Sequence, residues 1–487
     1  MTSLRELIKR AAVKQPLPHQ ERVALKFDQQ VRPGKGLLVD HATGTGKTGT
    51  SIIAAQRTGK PLIAVVPASL RENYRAGLKE FGFKGDAQVI SYQEALKLQN
   101  DPEFQRKTRD SVVVFDEAHR AGRSGSKASE LPRSMQANKK MLLTGTAIRN
   151  HPSELVPLLR AITDDPSVTS VEKFKENYIH EQAVAPSLLA KIRGATGGTE
   201  EVPKNLDQLA KVLKGVVDHQ SAESADGESH RPTVTEEQVM VPMSKAQNAA
   251  YQAIMNKNPS LAYKLRYGIP PGKEDFGKYK SFLTGLRQAS NTPTEFQNKG
   301  KPEDAAKIVQ AADEIQHHMG TTENYRGYSY SNYLKSGIQP LQEELARRGI
   351  KAAVFTGKMN DKQKKDIVSK YNKGEIQHLI LSSSGAEGLD LKGTKLVQIL
   401  EPHWNNAKID QVKARGVRYK SHAHLPDTER NVHVQHFFSH QPQNPIHKFL
   451  GMKPDVYADE AIHRTAKRKD KLNKAFLELL SNTPNGS

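Results

Sequence analysis

The chain alternates short, unbroken apolar runs with longer stretches in which apolar residues recur every three or four positions. In the first half the runs are Gly36-Leu37-Leu38-Val39, Leu62-Ile63-Ala64-Val65-Val66, Val112-Val113-Val114-Phe115 and Met141-Leu142-Leu143. Runs of this length predict strands of a parallel sheet covered on both faces. A helix-like stretch with Ile52, Ile53 and Ala54 follows the first run. Small or polar residues follow most of the others and are expected at the carboxyl edge of the sheet, where ligands bind.

Residues 186–235 are looser. Gly194-Ala195-Thr196-Gly197-Gly198 and Ser221-Ala222-Glu223-Ser224-Ala225-Asp226-Gly227 read as exposed loops. Residues 244–290 read as helical, with Tyr251, Ile254 and Leu261 among lysines, and 291–304 reads as a linker. A second series then begins. Ile338, Leu341 and Leu345 share a helix face, and Ala352-Ala353-Val354-Phe355, His378-Leu379-Ile380-Leu381 and Leu396-Val397-Gln398-Ile399-Leu400 predict strands. The repeated strand–helix order predicts two α/β lobes with a cleft between them. The tail 458–480 places Ile462, Ala466, Leu472, Phe476 and Leu479 at helical spacing, with Arg464, Lys467, Arg468, Lys469 and Lys471 as a basic face. It reads as a packing helix with a solvated face or as a helix that touches DNA.

Candidate chemistry sits where the runs end. After the first comes His41-Ala42-Thr43-Gly44-Thr45-Gly46-Lys47-Thr48. A glycine loop between strand and helix offers backbone N–H groups to phosphates, with Lys47 to neutralise charge and Thr48 to ligate Mg2+. The strict pattern has glycine where His41 stands. The run 112–115 ends in Asp116-Glu117-Ala118-His119. There Asp116 is the candidate metal ligand, and Glu117 the residue that orients and deprotonates water. Downstream, Gln411, Arg415 and Arg418 have the i, i+4, i+7 spacing that puts side chains on one helix face. Arginines so presented can stabilise charge developing on a transferred phosphoryl group. Ser382-Ser383-Ser384-Gly385-Ala386-Glu387-Gly388-Leu389-Asp390 permits close approach of backbone to phosphate, of either nucleotide or nucleic acid.

Composition narrows the partners. Lys plus Arg is 73 against 53 Asp plus Glu, a formal charge of +20. That excess points to nucleic acid, with solubility the alternative reason for it. There is no cysteine, which excludes disulfides and thiolate metal sites. The histidine pairs His317-His318, His422 with His424, and His436 with His440 lack an acidic partner pattern for zinc. No apolar run approaches the ~18 residues of a membrane span, and the N-terminus lacks an apolar signal core. The expectation is a soluble intracellular protein.

Taken together the motifs resemble those of superfamily 2 helicase-type ATPases, and more closely their Snf2-like branch, from about residue 16 to 480. Pro18-His19-Gln20 resembles the adenine-reading glutamine motif, 41–48 motif I, Val66-Pro67-Ala68-Ser69-Leu70 motif Ia, and Asp116-Glu117-Ala118-His119 motif II, the DEAH box. Leu142-Leu143-Thr144-Gly145-Thr146-Ala147-Ile148-Arg149-Asn150 is similar to the Snf2 form of motif III, extended by Ser153-Glu154-Leu155. Val241-Pro242-Met243-Ser244, Leu286-Arg287-Gln288-Ala289-Ser290-Asn291 and Trp404-Asn405 are further Snf2-like touches. Residues 382–391 resemble motif V and 411–418 motif VI. The ending Arg418-Tyr419-Lys420-Ser421-His422 and the His41 start of motif I look more like viral relatives, such as the poxvirus nucleoside triphosphatase that assists transcription.

The resemblance implies two RecA-like lobes with ATP in a cleft between them. The first lobe is expected over 1–235, a helical Snf2-like segment over 236–298, the second lobe over 299–445, and a basic amphipathic helix over 446–487. It implies ATP and Mg2+ as ligands. ATP would meet Gln20, Thr43, Gly44, Thr45, Gly46, Lys47, Thr48, Gly388 and Asp390. Thr48 and Asp116 would hold the metal, and Glu117, Gln411, Arg415 and Arg418 would serve catalysis. Pro67, Ala68, Ser69, Thr144, Gly145, Thr146, Ser382 and Ser383 would contact nucleic acid. The implied activity is a double-stranded-DNA-stimulated ATPase and translocase of viral or phage type, with a strand-separating DNA or RNA helicase as the alternative and a non-catalytic nucleic-acid scaffold as a third reading.

Overall fold

A computed structural model describes residues 13–42, 44–121, 127–184, 198–220, 231–269, 276–296, 301–357, 359–383, 389–418, 421–441 and 456–482. The chain divides into two compact units. The first spans Met1–Gln182, Glu201–Gly227 and Lys471–Ser487; the second spans Ala183–Glu200 and Glu228–Asp470.

The first unit is built on a six-stranded sheet. Its strands are β1 (Gly36–His41), β2 (Leu62–Val66), β3 (Ala87–Ser91), β4 (Val112–Phe115), β5 (Lys139–Thr144) and, after a two-stranded ribbon of β6 (Ile179–Val184) with β7 (Gly198–Pro203), β8 (Val217–Gln220). The order is β3-β2-β4-β5-β1-β8, and every pair is parallel. Side chains alternate across a strand, and here both faces are covered. Leu38, Val65, Val113 and Leu142 enter one core; Leu37, Ala64, Val114 and Met141 enter the other. Burying both faces is what makes these strands read as continuous apolar runs, and each of their buried Val, Leu and Met side chains contributes about 1.5–3 kcal/mol. Helices α1 (Pro18–Gln29) and α2 (Lys47–Thr58) supply Val23, Ala24, Phe27, Ile52, Ala54 and Ala55 to the second core.

The second unit holds another six-stranded parallel sheet. Its strands are β9 (Thr233–Pro242), β10 (Gly327–Ser331), β11 (Ala352–Phe355), β12 (His378–Ser382), β13 (Leu396–Ile399) and β14 (Asn431–His440), in the order β11-β12-β10-β13-β14-β9. Two parallel α/β sheets are thus present, as expected. Strand β9 differs from the sequence reading, which left its first residues in a loop and the rest in a helical segment. It pairs with β14 over ten residues as an edge strand, from Asn431↔Thr233 to His440↔Pro242. Helices α3 (Phe276–Asn291) and α4 (Ala306–Thr321) pack in this unit, α3 with Tyr251, Met255, Ala458 and Ile462, α4 against Ile380, Leu396 and Phe437.

The basic tail forms one long helix, named α6 below (Ala458–Asn482). The division between units falls inside it. Ala458 and Ile462 join the helical core of the second unit, whereas Leu472, Phe476 and Leu480 join a core of the first. Its apolar stripe is therefore a packing surface. No helix among the described residues is long and apolar enough to cross a membrane.

Candidate functional site

In the first unit, β1 delivers the chain into the glycine loop and α2 carries it away. Gly44 and Gly46 take φ of +95° and +81°, a region that side-chain-bearing residues enter at a cost. A Cβ on Gly46 would stand 2.6 Å from Gln20 Nε2. Gly46 caps α2 without any side-chain acceptor for its first N–H groups, so these donors and the positive end of the helix dipole are available to phosphate. Lys47 lies across the loop, its Nζ donating to the carbonyls of His41 (2.9 Å) and Ala42 (3.1 Å). Helix α1 grips the loop from outside. His19 Nε2 donates to Thr45 O at 2.8 Å and Gln20 Nε2 to Gly46 O at 3.0 Å. The Thr45 hydroxyl turns inward to Ala42 O. Thr43 lies outside the described residues.

Asp116 and Glu117 follow β4 at the same edge of the sheet. Burial raises the Asp116 carboxyl to about 6, assisted by the charge of Glu117 and opposed by Lys47. Burial also acts upward on Glu117, but the His119 hydrogen bond and the charges of His119, Lys47 and Arg149 bring it down to about 2. One carboxylate is thus reluctant to ionise and its neighbour is firmly ionised. Glu117 has φ of +54°, an uncommon conformation for a non-glycine residue that concentrates at functional sites. Its side chain lies 3.1 Å from His119 Nδ1. A reluctant buried carboxylate such as Asp116 is stabilised in its charged form by a cation beside it. With the half-buried Thr48 it offers the hard oxygen donors that suit Mg2+, which commonly takes one or two protein ligands and completes its shell with phosphate and water.

Thr144, expected to face nucleic acid, is fully buried. Its hydroxyl accepts from Thr146 N (3.1 Å) and pairs with His119 Nδ1 (3.3 Å). It therefore joins the strand after the acids to the Asp-Glu-Ala-His segment instead of presenting a surface contact. Gly145 and Thr146 are half-buried, Pro67 is buried, and Ala68 and Ser69 are exposed.

In the second unit, the single helix face expected for Gln411, Arg415 and Arg418 is not formed. Helix α5 (Asn406–Lys413), capped by the Asn405 side chain on Ala407 N, ends before Arg415. Tyr328 Oη donates to the carbonyls of Val412 and Lys413, and Leu391 N takes the carbonyl of Arg415. A Cβ on Gly416 would stand 2.9 Å from Thr394. Gln411 is thus on the helix, and the two arginines are on the turn behind it. Arg418 Nε donates to Ala414 O at 3.2 Å, and its Nη1 lies 3.8 Å from Asp390. The residues after it shape this turn. Ser421 Oγ donates to Arg418 O, and the buried His422 holds Thr394 O at 2.8 Å. Ser382 is buried and Ser383 half-buried, the latter bonded to Lys408. Gly388 lies outside the described residues.

The structure therefore gathers Gln20, Thr45, Gly46, Lys47, Thr48, Asp116 and Glu117 in the first unit, and Asp390, Arg415 and Arg418 in the second. Sequence reasoning assigned no role to His19 or His119 beyond their places in motifs. Their proximity to the loop and to Glu117 is the signal that reveals them.

The chain matches the SNF2-related domain family over residues 55–295 and the helicase conserved C-terminal domain family over residues 310–420. It is 26% identical over 473 residues to a protein of Acanthamoeba polyphaga mimivirus with the provisional name ATP-dependent RNA helicase, covering 95% of this chain and 97% of that protein. It is 38% identical over 134 residues to the termination factor NPH-I homolog of African swine fever virus, covering 26% of this chain and 19% of that protein. A solved structure, the SWI2/SNF2 ATPase core of Sulfolobus solfataricus in complex with double-stranded DNA, is similar at 17% identity and a TM-score of 0.38, covering 96% of this chain and 97% of that one.

Proposed function

Since this chain belongs to the SNF2-related, helicase-type ATPases and is a nucleic-acid-dependent ATPase, we propose that it is a motor stimulated by double-stranded DNA that couples ATP hydrolysis to movement along the duplex. The observation that carries the catalytic part is the meeting of Lys47 with Asp116 and Glu117 at one sheet edge, where the lysine's charge acts on both acids. The nucleic-acid part rests on the Snf2-like motifs and the charge of +20.

The chain's own groups divide the work. The N–H groups at the start of α2 and the Lys47 ammonium bind the phosphates and hold their charge. Thr48 and Asp116 are the residues that would hold Mg2+, which would screen the charge of the phosphate oxygens. Glu117, ionised and fixed by His119, orients the attacking water and takes its proton. Arg415 and Arg418 are the residues that the Snf2-like motifs assign to the charge developing on the transferred phosphoryl group. Gln20 and His19 keep the loop in shape and set the adenine side of the site.

A second reading has one specific support. The mimivirus relative that matches along nearly all its length carries the name of an RNA helicase, so RNA is the competing polymer and strand separation the competing output. ATP turnover with double-stranded DNA, single-stranded DNA and RNA, beside a forked-duplex unwinding assay, decides between them. Stimulation by double-stranded DNA without unwinding is the expected result. Stimulation by RNA alone, with strand separation, would replace the proposal by the second reading.

A further inference from the structure

Asp218 is the second residue of β8, fully buried, and paired in register with Val39 of β1. Three basic side chains converge on its carboxylate. Arg22 donates to it bidentately, Nη1 to Oδ2 at 2.5 Å and Nη2 to Oδ1 at 3.0 Å. His41 Nε2 lies 2.8 Å from Oδ1, and Lys26 Nζ lies 3.7 Å from Oδ2. Arg22 also reaches Gln220. Of these residues only His41 belongs to a nucleotide-binding motif named above, and its side chain was given no part there.

Their places in the fold give the cluster a purpose. Arg22 and Lys26 stand on α1, the helix whose His19 and Gln20 hold the carbonyls of Thr45 and Gly46. His41 is the first residue of the phosphate loop, and its carbonyl accepts from Lys47. One carboxylate therefore ties together the two segments that touch the loop from opposite ends. His41 occupies the position where the strict pattern has glycine. A glycine would leave no side chain there; here the imidazole is fully buried and anchors the loop to a neighbouring strand. Burial holds the imidazole below its ordinary range despite Asp218, so a neutral ring donating one proton from Nε2 fits the geometry.

We propose that Asp218 is a positioning residue for the nucleotide site, holding α1 and the start of the phosphate loop in one register through Arg22 and His41. This rests on the ATPase reading above. Without the carboxylate, Arg22 and Lys26 repel each other, α1 loosens, and the loop loses the strut at His41. The consequence is selective. Ground-state grip on ATP and discrimination at the adenine end fall together, while Glu117 and Arg418, which act on the water and the phosphoryl group, are untouched.

The test uses the full chain with Asp218→Asn, which keeps size and shape and removes the charge. The KM for ATP is expected to rise about tenfold or more, the scale of one lost charge-assisted hydrogen bond. The kcat at saturating ATP should stay within about twofold, the preference for ATP over GTP should shrink, and nucleic-acid affinity should not change. His41→Gly is expected to raise KM by a smaller factor and to add little in the Asp218→Asn background, because both act through one bond. A folded Asp218→Asn protein with wild-type KM and nucleotide preference, altered only in melting temperature, would overturn the inference, as would fully additive effects of the two substitutions. Should Asp218→Asn not fold, His41→Gly alone carries the test by the same KM and ATP/GTP readouts. A wild-type chain that neither binds nor hydrolyses ATP would instead sink the ATPase reading itself.

Discussion

Removing Asp459 should cost the second unit several kcal/mol. Its carboxylate, 1% exposed, accepts from Lys307 Nζ at 2.8 Å and from Ser439 N at 3.0 Å. Lys307 is 0% exposed, and Arg287 Nε lies 4.0 Å away. Asp459→Ala therefore leaves a buried ammonium without its counter-charge and a buried N–H without its acceptor. Breaking a buried pair from one side costs about 3–5 kcal/mol, and an orphaned N–H about 1–3 kcal/mol. The two overlap, so about 4 kcal/mol is expected, or about 8–16 °C in melting temperature for a unit of this size. The assay is urea unfolding followed by Trp404 fluorescence. This is the chain's one tryptophan and packs in the same cluster as Ala458 and Ile462, so it reports on the second unit. The double variant Lys307→Met with Asp459→Leu removes both charges and should recover most of the loss. A loss below about 1 kcal/mol in Asp459→Ala would refute the reasoning, because it would mean that Lys307 finds water or another acceptor at no cost.

Glu117→Gln should bind ATP and Mg2+ and turn over about 10²–10⁴ times more slowly, since the amide keeps the shape but cannot take a proton; single-turnover hydrolysis against equilibrium ATP binding separates the two, and loss of binding would make Glu117 structural. Arg418→Ala should keep near-normal affinity for ATP and DNA and lose about 10³-fold or more of the stimulated rate; a variant that still accelerates strongly on adding DNA would make Arg418 surface charge. The second unit should weaken in mild acid. Burial holds His378 at about 3, and His422, despite its bond to Thr394 O, at about 4. Both are then neutral in the fold while the unfolded chain takes up protons below about 6.5, so their stabilisation is complete above that pH and is lost as pH falls towards the folded values. Between pH 6.5 and 5.0 that amounts to about 1.5–2 kcal/mol each, about 3 together. Trp404-monitored urea midpoints at the two pH values check it, His378→Gln should flatten the dependence, and equal midpoints would contradict the burial argument.

The first unit was largely legible because its strands are apolar on both faces, and its chemistry stands in contiguous motifs at strand ends. The second sheet was harder. Its central strand β10 reads Gly-Tyr-Ser-Tyr-Ser, and both tyrosines and both serines are fully buried. Tyr328 is satisfied by carbonyls of α5. Ser329 donates to Gln398, and Gln398 to Gln435, across adjacent strands. Gln435 in turn donates to Glu237 on the edge strand β9. Such a polar ladder is invisible to a search for apolar runs, because each residue is acceptable inside only when its cross-strand partner is present. The same holds for Asp218, in a strand reading Val-Asp-His-Gln. The arginine turn failed for the opposite reason. Its spacing suits a helix, but Tyr328, whose hydroxyl donates to the last carbonyls of that helix, comes from elsewhere in the chain.

Helix α6 has a consequence for how the molecule is made. Leu472, Phe476 and Leu480 complete a core of the first unit, yet they leave the ribosome after every strand of both sheets. At about 5–20 residues per second, the stretch from Glu228 to Asp470 takes about 12–50 s to synthesise. Throughout that interval the first sheet exists with an apolar seat still uncovered. The nascent chain must hold the first unit with that seat uncovered until the helix emerges, and the helix acts as the closing stitch.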